Sequence, residues 1–365
     1  MSAVASDSAM PAGLQEAIAS GEAHTVRVCF GDHYGVLRGR RICADVFAAG
    51  PARQGFCDGA LVWDIRCDIF EETDFSNYRT GYPDLYVVPE LETLRPCAWS
   101  SGEWTVLGDC WNEEGERIDV DPRGVLRSVA ARAAVGEVRL TLELQAPGLG
   151  KDEGAVLLSS LADAAAGLGV PVEDTAHDLG AEIVSLPLAP ASPLAAADGL
   201  ILLRGAAREL AARARVELSA MAQLEPGGRL SRILVDLGSV PDAGAAARAR
   251  ELALLLAPLP AGAAGLAESE AAASVEASSD ANPHLALAAS LAAYAEERPS
   301  PSAPADDGGG DPYRAAIERF RVCEWAGEWF PPLLVHDTLA LAEREASIAT
   351  SAGGPWDRDR YWECG

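Results

Sequence analysis

Near the start of the chain, two short runs of alternating apolar and polar residues are joined by a turn. Residues 25–30 (TVRVCF) and residues 36–42 (VLRGRRI) both have the period-2 pattern of half-buried strands. The residues between them, 31–35 (GDHYG), contain the glycine and aspartate that favour a tight turn. The pattern therefore predicts a β-hairpin.

Two further strands are predicted at residues 85–88 and 105–107, because both runs are rich in β-branched and aromatic residues. A turn at residues 82–84 (YPD) precedes the first of them, since proline restricts φ and aspartate favours turns. The segment 89–99 between the strands is interrupted by proline. These elements and the hairpin predict a β-rich first part of the chain.

Helical spacing of apolar residues begins after Asp121, which is a good helix cap followed by proline at the first turn. Residues 193–216 form a long amphipathic pattern, and residues 245–256 form a shorter one. In residues 281–293 (ANPHLALAASLAA), Asn282 and proline again mark a helix start. The later chain is therefore predicted to contain several packed helices.

The chain has 365 residues, enough for two or three domains. We expect a flexible segment at 1–22, a first domain at 23–120 and a second domain at 121–365. Alanine, glycine and serine dominate near 257–279, and proline, glycine and aspartate near 298–311, so both stretches are predicted to be low-complexity linkers.

The charge of the chain is strongly negative, with 29 basic and 55 acidic residues and a net charge of −26. Such a surface repels phosphate backbones and anionic lipids, which argues against nucleic acid and membranes as partners. No apolar run is long enough to span a bilayer, and no basic-then-apolar leader opens the chain. We therefore expect a soluble, cytoplasmic protein.

Residues 81–109 (GYPDLYVVPELETLRPCAWSSGEWTVLGD) resemble the N-terminal domain of the glutamine synthetase family. Three other segments also resemble the family: F-x-D-x-x-G-x-x-R-G-R from Phe30 to Arg40, D-P-R at 121–123, and ANPHLALAA at 281–289. The resemblance implies an α+β fold. A β-grasp-like N-terminal domain would be followed by a glutamine-synthetase-type C-terminal domain, in which helices pack on a curved antiparallel sheet.

The resemblance also implies a chemistry, in which ATP and Mg²⁺ or Mn²⁺ join a glutamate-type γ-carboxylate to ammonia or an amine through an acyl phosphate. Asp58, with Asp64 as second choice, matches the acidic loop that reaches a neighbouring subunit's site and assists deprotonation of the amine. For both residues, the sequence is equally compatible with the role of an ordinary turn carboxylate. The positions that match the family's acidic metal ligands are Glu143, Asp178, Glu182 and Glu276.

Several of the family's motifs are incomplete. The E-x-E strand keeps only Glu143, between Thr141 and Gln145, and residues 219–237 contain none of the histidines expected there. Ser278 stands at an arginine position, and the region that supplies phosphate-binding arginines is short.

These departures favour a catalytically impaired or inactive relative with a structural or regulatory role, needing no cofactor. Its expected partners are copies of itself in a ring, or a competent paralogue. The alternative is an active ATP-dependent carboxylate–amine ligase of nitrogen metabolism, with glutamate and a small amine as substrates.

Overall fold

The computed structural model describes residues 10–51, 53–69, 71–224, 229–238, 243–263, 275–298 and 311–352. Over these ranges the chain forms two β-sheets, one before and one after Asp121, with most of its helices after Asp121. The predicted α+β class, with a β-grasp-like first domain and an antiparallel second sheet, is confirmed.

The first sheet contains the predicted hairpin. Strands β1 (Thr25–Gly31) and β2 (Leu37–Cys43) pair antiparallel, and β1 also pairs in parallel with β6 (Glu103–Trp111). The sheet order is β2-β1-β6-β4-β3, with β5 attached to β6. The remaining strands are β3 (Gln54–Cys57), β4 (Asp84–Pro89) and β5 (Arg95–Pro96).

Two short helices accompany this sheet, α1 (Ala12–Ala19) and α2 (Ala44–Ala49). Helix α1 lies within the segment 1–22 for which flexibility is predicted. It is held in place because Leu14 and Ala17 are buried in the common core.

The second sheet is antiparallel throughout, in the order β11-β10-β7-β9-β8. Leucines 140, 142 and 144 of β7 are buried on one face, whereas Thr141 and Glu143 point to the other face and are partly exposed. The polar residues of the sheet therefore share an open face. The strands are β7 (Arg139–Gln145), β8 (Ala176–Asp178), β9 (Ile183–Pro187), β10 (Arg232–Asp236) and β11 (Val275–Ser278).

Helices cover the apolar side of this sheet and the space between the sheets. The predicted caps at Asp121 and Asn282 are confirmed, since their side chains accept bonds from the first backbone amides of their helices. The helices are α3 (Pro122–Ala133), α4 (Lys151–Leu168), α5 (Pro193–Ala214), α6 (Ala243–Glu251), α7 (Ala253–Leu256), α8 (Pro283–Ala295), α9 (Pro312–Val322), α10 (Ala326–Trp329) and α11 (Pro332–Ala352).

One predicted helix differs from the structure in detail. The single helix predicted at residues 245–256 is two helices, α6 and α7, separated at Leu252, whose side chain is buried. Of the predicted linker near 298–311, residues 299–310 lie outside the described part of the chain. Among the helices of the described ranges, none is both long and apolar enough to cross a membrane.

The hairpin turn is tied to the start of α8. Asn282 Nδ2 donates to the carbonyl of Asp32 at 2.6 Å, while its Oδ1 caps the helix. The guanidinium of Arg204, on α5, donates to Gly35 O at 2.6 Å and to Ala281 O at 2.7 Å. One amide and one guanidinium therefore join elements from both halves of the chain.

Candidate functional site

The open face of the second sheet brings together two of the four residues predicted as metal ligands. Glu143 lies on β7 and Glu276 on β11, the strands that flank β10 on either side. Arg232, the first residue of β10, pairs in register with Ser278 of β11 and lies beside Glu143 of β7. The two carboxylates are therefore neighbours of one arginine.

The contacts of Arg232 satisfy both acids. Its backbone amide lies 3.1 Å from Glu143 Oε2, and its Nε lies 3.4 Å from the same oxygen. Its Nη1 lies 3.1 Å from each carboxylate oxygen of Glu276. Arginine is always protonated in proteins, so a permanent positive charge lies between the two glutamates.

Burial and charge act in opposite directions in this cluster. Burial raises the pKa of Glu143, although Arg232 opposes the shift. For Arg232, burial alone would lower the pKa, but Glu276 and Glu143 outweigh it and the pKa is raised. The three side chains stabilise one another as an ion cluster that is only partly exposed to water.

The other two predicted metal ligands do not contact this cluster. Asp178 Oδ1 accepts bonds from the amides of Gly180 and Ala181, both at 2.9 Å, which closes a tight turn. Glu182 has a positive φ of 54° and holds the amide of Gly148 at 2.9 Å. Asp178 therefore stabilises its own turn, and Glu182 stabilises the loop that contains Gly148.

These residues do not fit the divalent ions of a glutamine-synthetase-type site. Across the described ranges, no group of three or more histidine, cysteine, aspartate or glutamate side chains could hold a metal ion. A dication at the Glu143–Glu276 pair would also meet the Arg232 charge. At about 4 Å and an effective dielectric of about 20, unit charges repel by about 4 kcal/mol, and a dication by about twice that.

Asp58 and Asp64, the predicted catalytic acids, are both buried within their own chain. Asp58 accepts a bond from Ser76 Oγ at 2.6 Å, and burial raises its pKa. Asp64 lies 3.1 Å from Arg344 Nε on α11, and it also accepts the amide of Asp68 at 2.8 Å. In this chain the two acids organise the segment that follows β3.

Three of the segments that resemble the family contribute to one buried charge network. Arg123 donates from Nε and Nη2 to the two oxygens of Asp198, both at 2.9 Å, and from Nη1 to Asp109. His284 Nε2 lies 2.8 Å from Asp198 Oδ1. Burial disfavours the Asp198 charge, but His284 and Arg123 outweigh burial and lower its pKa. The segments that carry the matching motifs therefore meet at this buried network.

Sequence reasoning missed Arg232 as a residue of this face. The sequence feature that could have indicated it is an arginine at the start of the alternating run RILVD, residues 232–236. The pattern indicates a strand but cannot show which side chains lie opposite it, because register depends on the two neighbouring strands.

The β-grasp-like first sheet, the antiparallel second sheet with its polar open face and the intervening helices are the architecture of glutamine synthetase folds. A novel glutamine synthase homolog has a solved structure that matches 94% of this chain and 99% of its own, with a TM-score of 0.79 and 18% identity. The structure of apo GmaS without ligand matches 95% of this chain and 98% of its own, with a TM-score of 0.72 and 18% identity.

Curated relatives give the same assignment from sequence. A glutamate–isopropylamine ligase of a Pseudomonas species is 30% identical over 111 residues, which are 30% of this chain and 24% of the relative. Type-1 glutamine synthetase 2 of Dictyostelium discoideum is 24% identical over 229 residues, 54% of this chain and 44% of the relative. No protein-family model matches the chain.

The matched stretches thus span less than half the length of these curated relatives. Together with the fold, they identify the chain as a shortened glutamine synthetase-like protein.

Proposed function

We propose that this chain is a catalytically inactive glutamine synthetase-like protein with a structural or regulatory role in an oligomer. The observation that carries the proposal is the placement of Arg232 between Glu143 and Glu276. On the open face of the second sheet, a side-chain cation takes the place where two carboxylates converge.

The physical reason lies in how ATP-dependent ligases work. Phosphoryl transfer depends on cations that neutralise the phosphate oxygens and stabilise the developing charge. Hard divalent ions require several oxygen ligands, and here Glu143 and Glu276 are already satisfied by Arg232. Each 1.36 kcal/mol of lost stabilisation costs about a factor of ten in rate, so losing the ions removes useful turnover.

The proposed partner is another copy of this chain or an active paralogue, assembled as a ring. The segment after Asp58 supports a protein contact, because Ile69 is 54% exposed and Tyr78 is 76% exposed. Large apolar groups on a surface loop gain free energy when a partner covers them. Light scattering of the purified chain tests the assembly, and a strict monomer that also binds no active glutamine synthetase contradicts it.

The activity itself is tested by measuring ADP formation with ATP, glutamate, a panel of small amines and either Mg²⁺ or Mn²⁺. We expect no ADP above the background of a protein-free control. The alternative is an active carboxylate–amine ligase. Amine-dependent ADP release that is lost in both Glu143→Gln and Glu276→Gln would establish that alternative and overturn the proposal.

A further inference from the structure

A long irregular connection leads into strand β4. Of the described residues between Leu61 and Asp84, none belongs to a helix or strand. Connections longer than about 15 residues without secondary structure are uncommon in compact domains and are often functional. The part of this connection at residues 71–82, which we call the 71–82 loop, contains none of the acids predicted to be catalytic or metal-binding. It is therefore distinct from the open face of the second sheet.

The 71–82 loop is held together by hydrogen bonds of its own. Asn77, which is buried, donates from Nδ2 to the carbonyl of Thr73 at 2.7 Å. Its backbone amide lies 3.0 Å from Thr80 Oγ1, and its Oδ1 accepts the amide of Thr80 at 3.1 Å. The middle of the loop therefore keeps its shape through contacts within the loop itself.

Two tyrosines of the loop form an aromatic pair at its surface. The rings of Tyr78 and Tyr82 meet edge to face, with centroids 5.5 Å apart and an interplanar angle of 86°. Glu71 accepts the hydroxyl of Tyr82 and, at 2.6 Å, the backbone amide of Tyr78. Tyr78 is nevertheless 76% exposed. The pair is therefore an ordered aromatic surface that a partner could cover.

Helix α11 supplies the main attachment of the loop. Asp337 Oδ1 accepts the backbone amide of Asp74 at 2.7 Å, and Oδ2 accepts the next amide, that of Phe75, at 3.2 Å. Asp337 is 1% exposed, so these bonds are shielded from water. Hydrogen bonds from amides to an ionised carboxylate are charge-assisted and stronger than neutral ones. One side chain therefore holds two consecutive amides of the loop.

Among the described residues, two other polar contacts join the loop to the rest of the chain. Ser76 Oγ donates to Asp58 Oδ1 at 2.6 Å, and His336 Nε2 lies 3.6 Å from the Asp74 carboxylate. The turn before the loop is anchored separately, by a salt bridge of 3.1 Å from α11 to Asp64. Loss of the buried α11 carboxylate should therefore loosen the loop and leave the preceding turn in place.

Left-handed corners lie on both sides of the central part of the loop. Cys67 has a φ of 65°, and Gly81 has a φ of 79°. No atom of the described residues lies within 4 Å of the Cβ position at Gly81, so the chain has free space there. A few loop residues of this kind absorb the backbone rotation when a loop moves. Gly81 therefore provides a hinge at the end of the loop.

We propose that Asp337 is a latch, which holds the 71–82 loop on α11 and so fixes the position of the Tyr78–Tyr82 pair. When the latch opens, the loop turns about Gly81 and keeps its internal bonds. The tyrosine pair then leaves the position in which it meets a partner subunit, a step that rests on the proposed function. Helix α11 thereby regulates assembly through the loop, because a partner selects the latched state.

Hydrogen–deuterium exchange of the full-length wild-type protein, resolved to single amides, tests the latch. After correction for intrinsic rates, the amides of Asp74 and Phe75 should exchange at least about tenfold faster than those in the centre of β1, because the loop opens without global unfolding. The two amides should also show the same protection, since both bond to one carboxylate.

Variants of α11 separate the latch from general stability. Asp337→Ala should speed exchange of the two latched amides at least about tenfold and leave the Thr80 amide unchanged, because Thr80 is bonded within the loop. Asp337→Asn keeps one acceptor oxygen and should give an intermediate rate. The matched control Glu343→Ala, which removes an exposed acid of the same helix, should exchange like the wild type.

The latch is overturned if the wild-type amides of Asp74 and Phe75 are as protected as β1, or if a folded Asp337→Ala variant exchanges them at the wild-type rate. If Asp337→Ala does not fold by circular dichroism, the wild-type comparison still decides.

Light scattering of the same variants tests the effect on assembly. Asp337→Ala should weaken self-association about tenfold, because a loosened loop must be ordered again on binding, and Glu343→Ala should not. A freed loop with unchanged self-association would overturn the regulation of assembly. A wild-type chain that is monomeric and binds no active glutamine synthetase would refute the proposed function instead, and the exchange measurement would still decide the latch.

Discussion

The guanidinium of Arg232 lies across the strand pair from Glu276, with Nη1 3.1 Å from both carboxylate oxygens. The same arginine meets Glu143 on the other side. A protein that kept this pair of acids for a metal ion would gain nothing from a fixed cation beside them. In this chain the positive charge between the two acids is that of Arg232.

Replacing Arg232 with alanine should create a weak site for a divalent ion. Glu143 and Glu276 would lose the guanidinium that lies between them, so the free energy of unfolding should fall by about 1–3 kcal/mol in metal-free buffer. Excess Mn²⁺ should restore about that amount, because an ion that binds only the folded state stabilises it. Thermal unfolding with and without Mn²⁺ measures both effects.

The matched control for that prediction is Arg139→Ala, which removes an arginine of β7 that pairs with the half-exposed Glu173. Mn²⁺ should stabilise neither this control nor the wild type. Adding Glu143→Gln and Glu276→Gln to Arg232→Ala should abolish the Mn²⁺ effect. If Mn²⁺ does not stabilise a folded Arg232→Ala variant, the two glutamates do not lie close enough together to bind an ion.

Removing Asp198 should destabilise the protein strongly. The change Asp198→Ala leaves the buried Arg123 guanidinium without its bidentate partner, and His284 also loses its acceptor. Breaking a buried ion pair in this way costs about 3–5 kcal/mol, measurable by urea unfolding. In the control Asp178→Ala the lost carboxylate is exposed, so a change below about 1 kcal/mol is expected. Similar losses in both variants would contradict a structural role for the network.

The stability of the protein should depend on pH through Asp121. Burial, with a contribution from the neighbouring Asp109, raises the pKa of Asp121 to about 7. The folded state then holds this proton more tightly than the unfolded state, whose aspartate titrates near pH 4. The contribution of Asp121 to the free energy of unfolding therefore falls as pH rises from about 4 to about 7, and is constant above that range.

The variant Asp121→Asn keeps a capping oxygen but cannot ionise. Its stability relative to the wild type should therefore increase between pH 5 and pH 8, as measured by urea unfolding at both values. Asp311→Asn is the matched control, because Asp311 caps α9 at a solvent-exposed helix start. A difference between Asp121→Asn and the wild type that is the same at both pH values would refute the buried-acid explanation.

The close contact at Gly35 should tolerate no side chain. Gly35 has a φ of 72°, and a Cβ there would lie 2.2 Å from Arg204 Nη2 and 2.9 Å from Asn282 Cα. Gly21 has a similar φ of 75°, and no atom of the described residues lies within 4 Å of its Cβ position. Gly21→Ala should therefore cost only the positive-φ penalty of about 1–2 kcal/mol. Gly35→Ala should cost about 2 kcal/mol more, because Arg204 and the helix start must move. Equal costs in the two variants would show that Arg204 and the helix start can move away from Gly35 without a free-energy penalty.

Local patterns in the sequence predicted the parts of the fold that depend on neighbouring residues. The hairpin expected at 25–30 and 36–42 is observed as Thr25–Gly31 and Leu37–Cys43, since alternation and turn chemistry act over a few residues. The helix expected at 193–216 is observed as Pro193–Ala214. Helix caps at Asp121 and Asn282 were equally readable, because a cap bonds amides two or three residues away.

The polar face of the second sheet was less predictable. Glu143 and Glu276 were expected together only through resemblance to a family, and the arginine between them was not expected at all. Arg232 is 89 residues from Glu143 and 44 from Glu276 in sequence, so their meeting depends on the pairing of three distant strands. Whether Asp58 or Asp64 acts on a neighbouring subunit stays a prediction, because that role requires a second chain.

The buried network around Arg123 also has a consequence for synthesis on the ribosome. Arg123 can meet Asp109 as soon as both have left the exit tunnel, but Asp198 follows 75 residues later and His284 a further 86. A nascent chain stalled before Asp198 would hold a guanidinium whose main partner has not been made. The N-terminal half should therefore reach its final packing only late in translation. Before that point, the incompletely packed chain should bind chaperones.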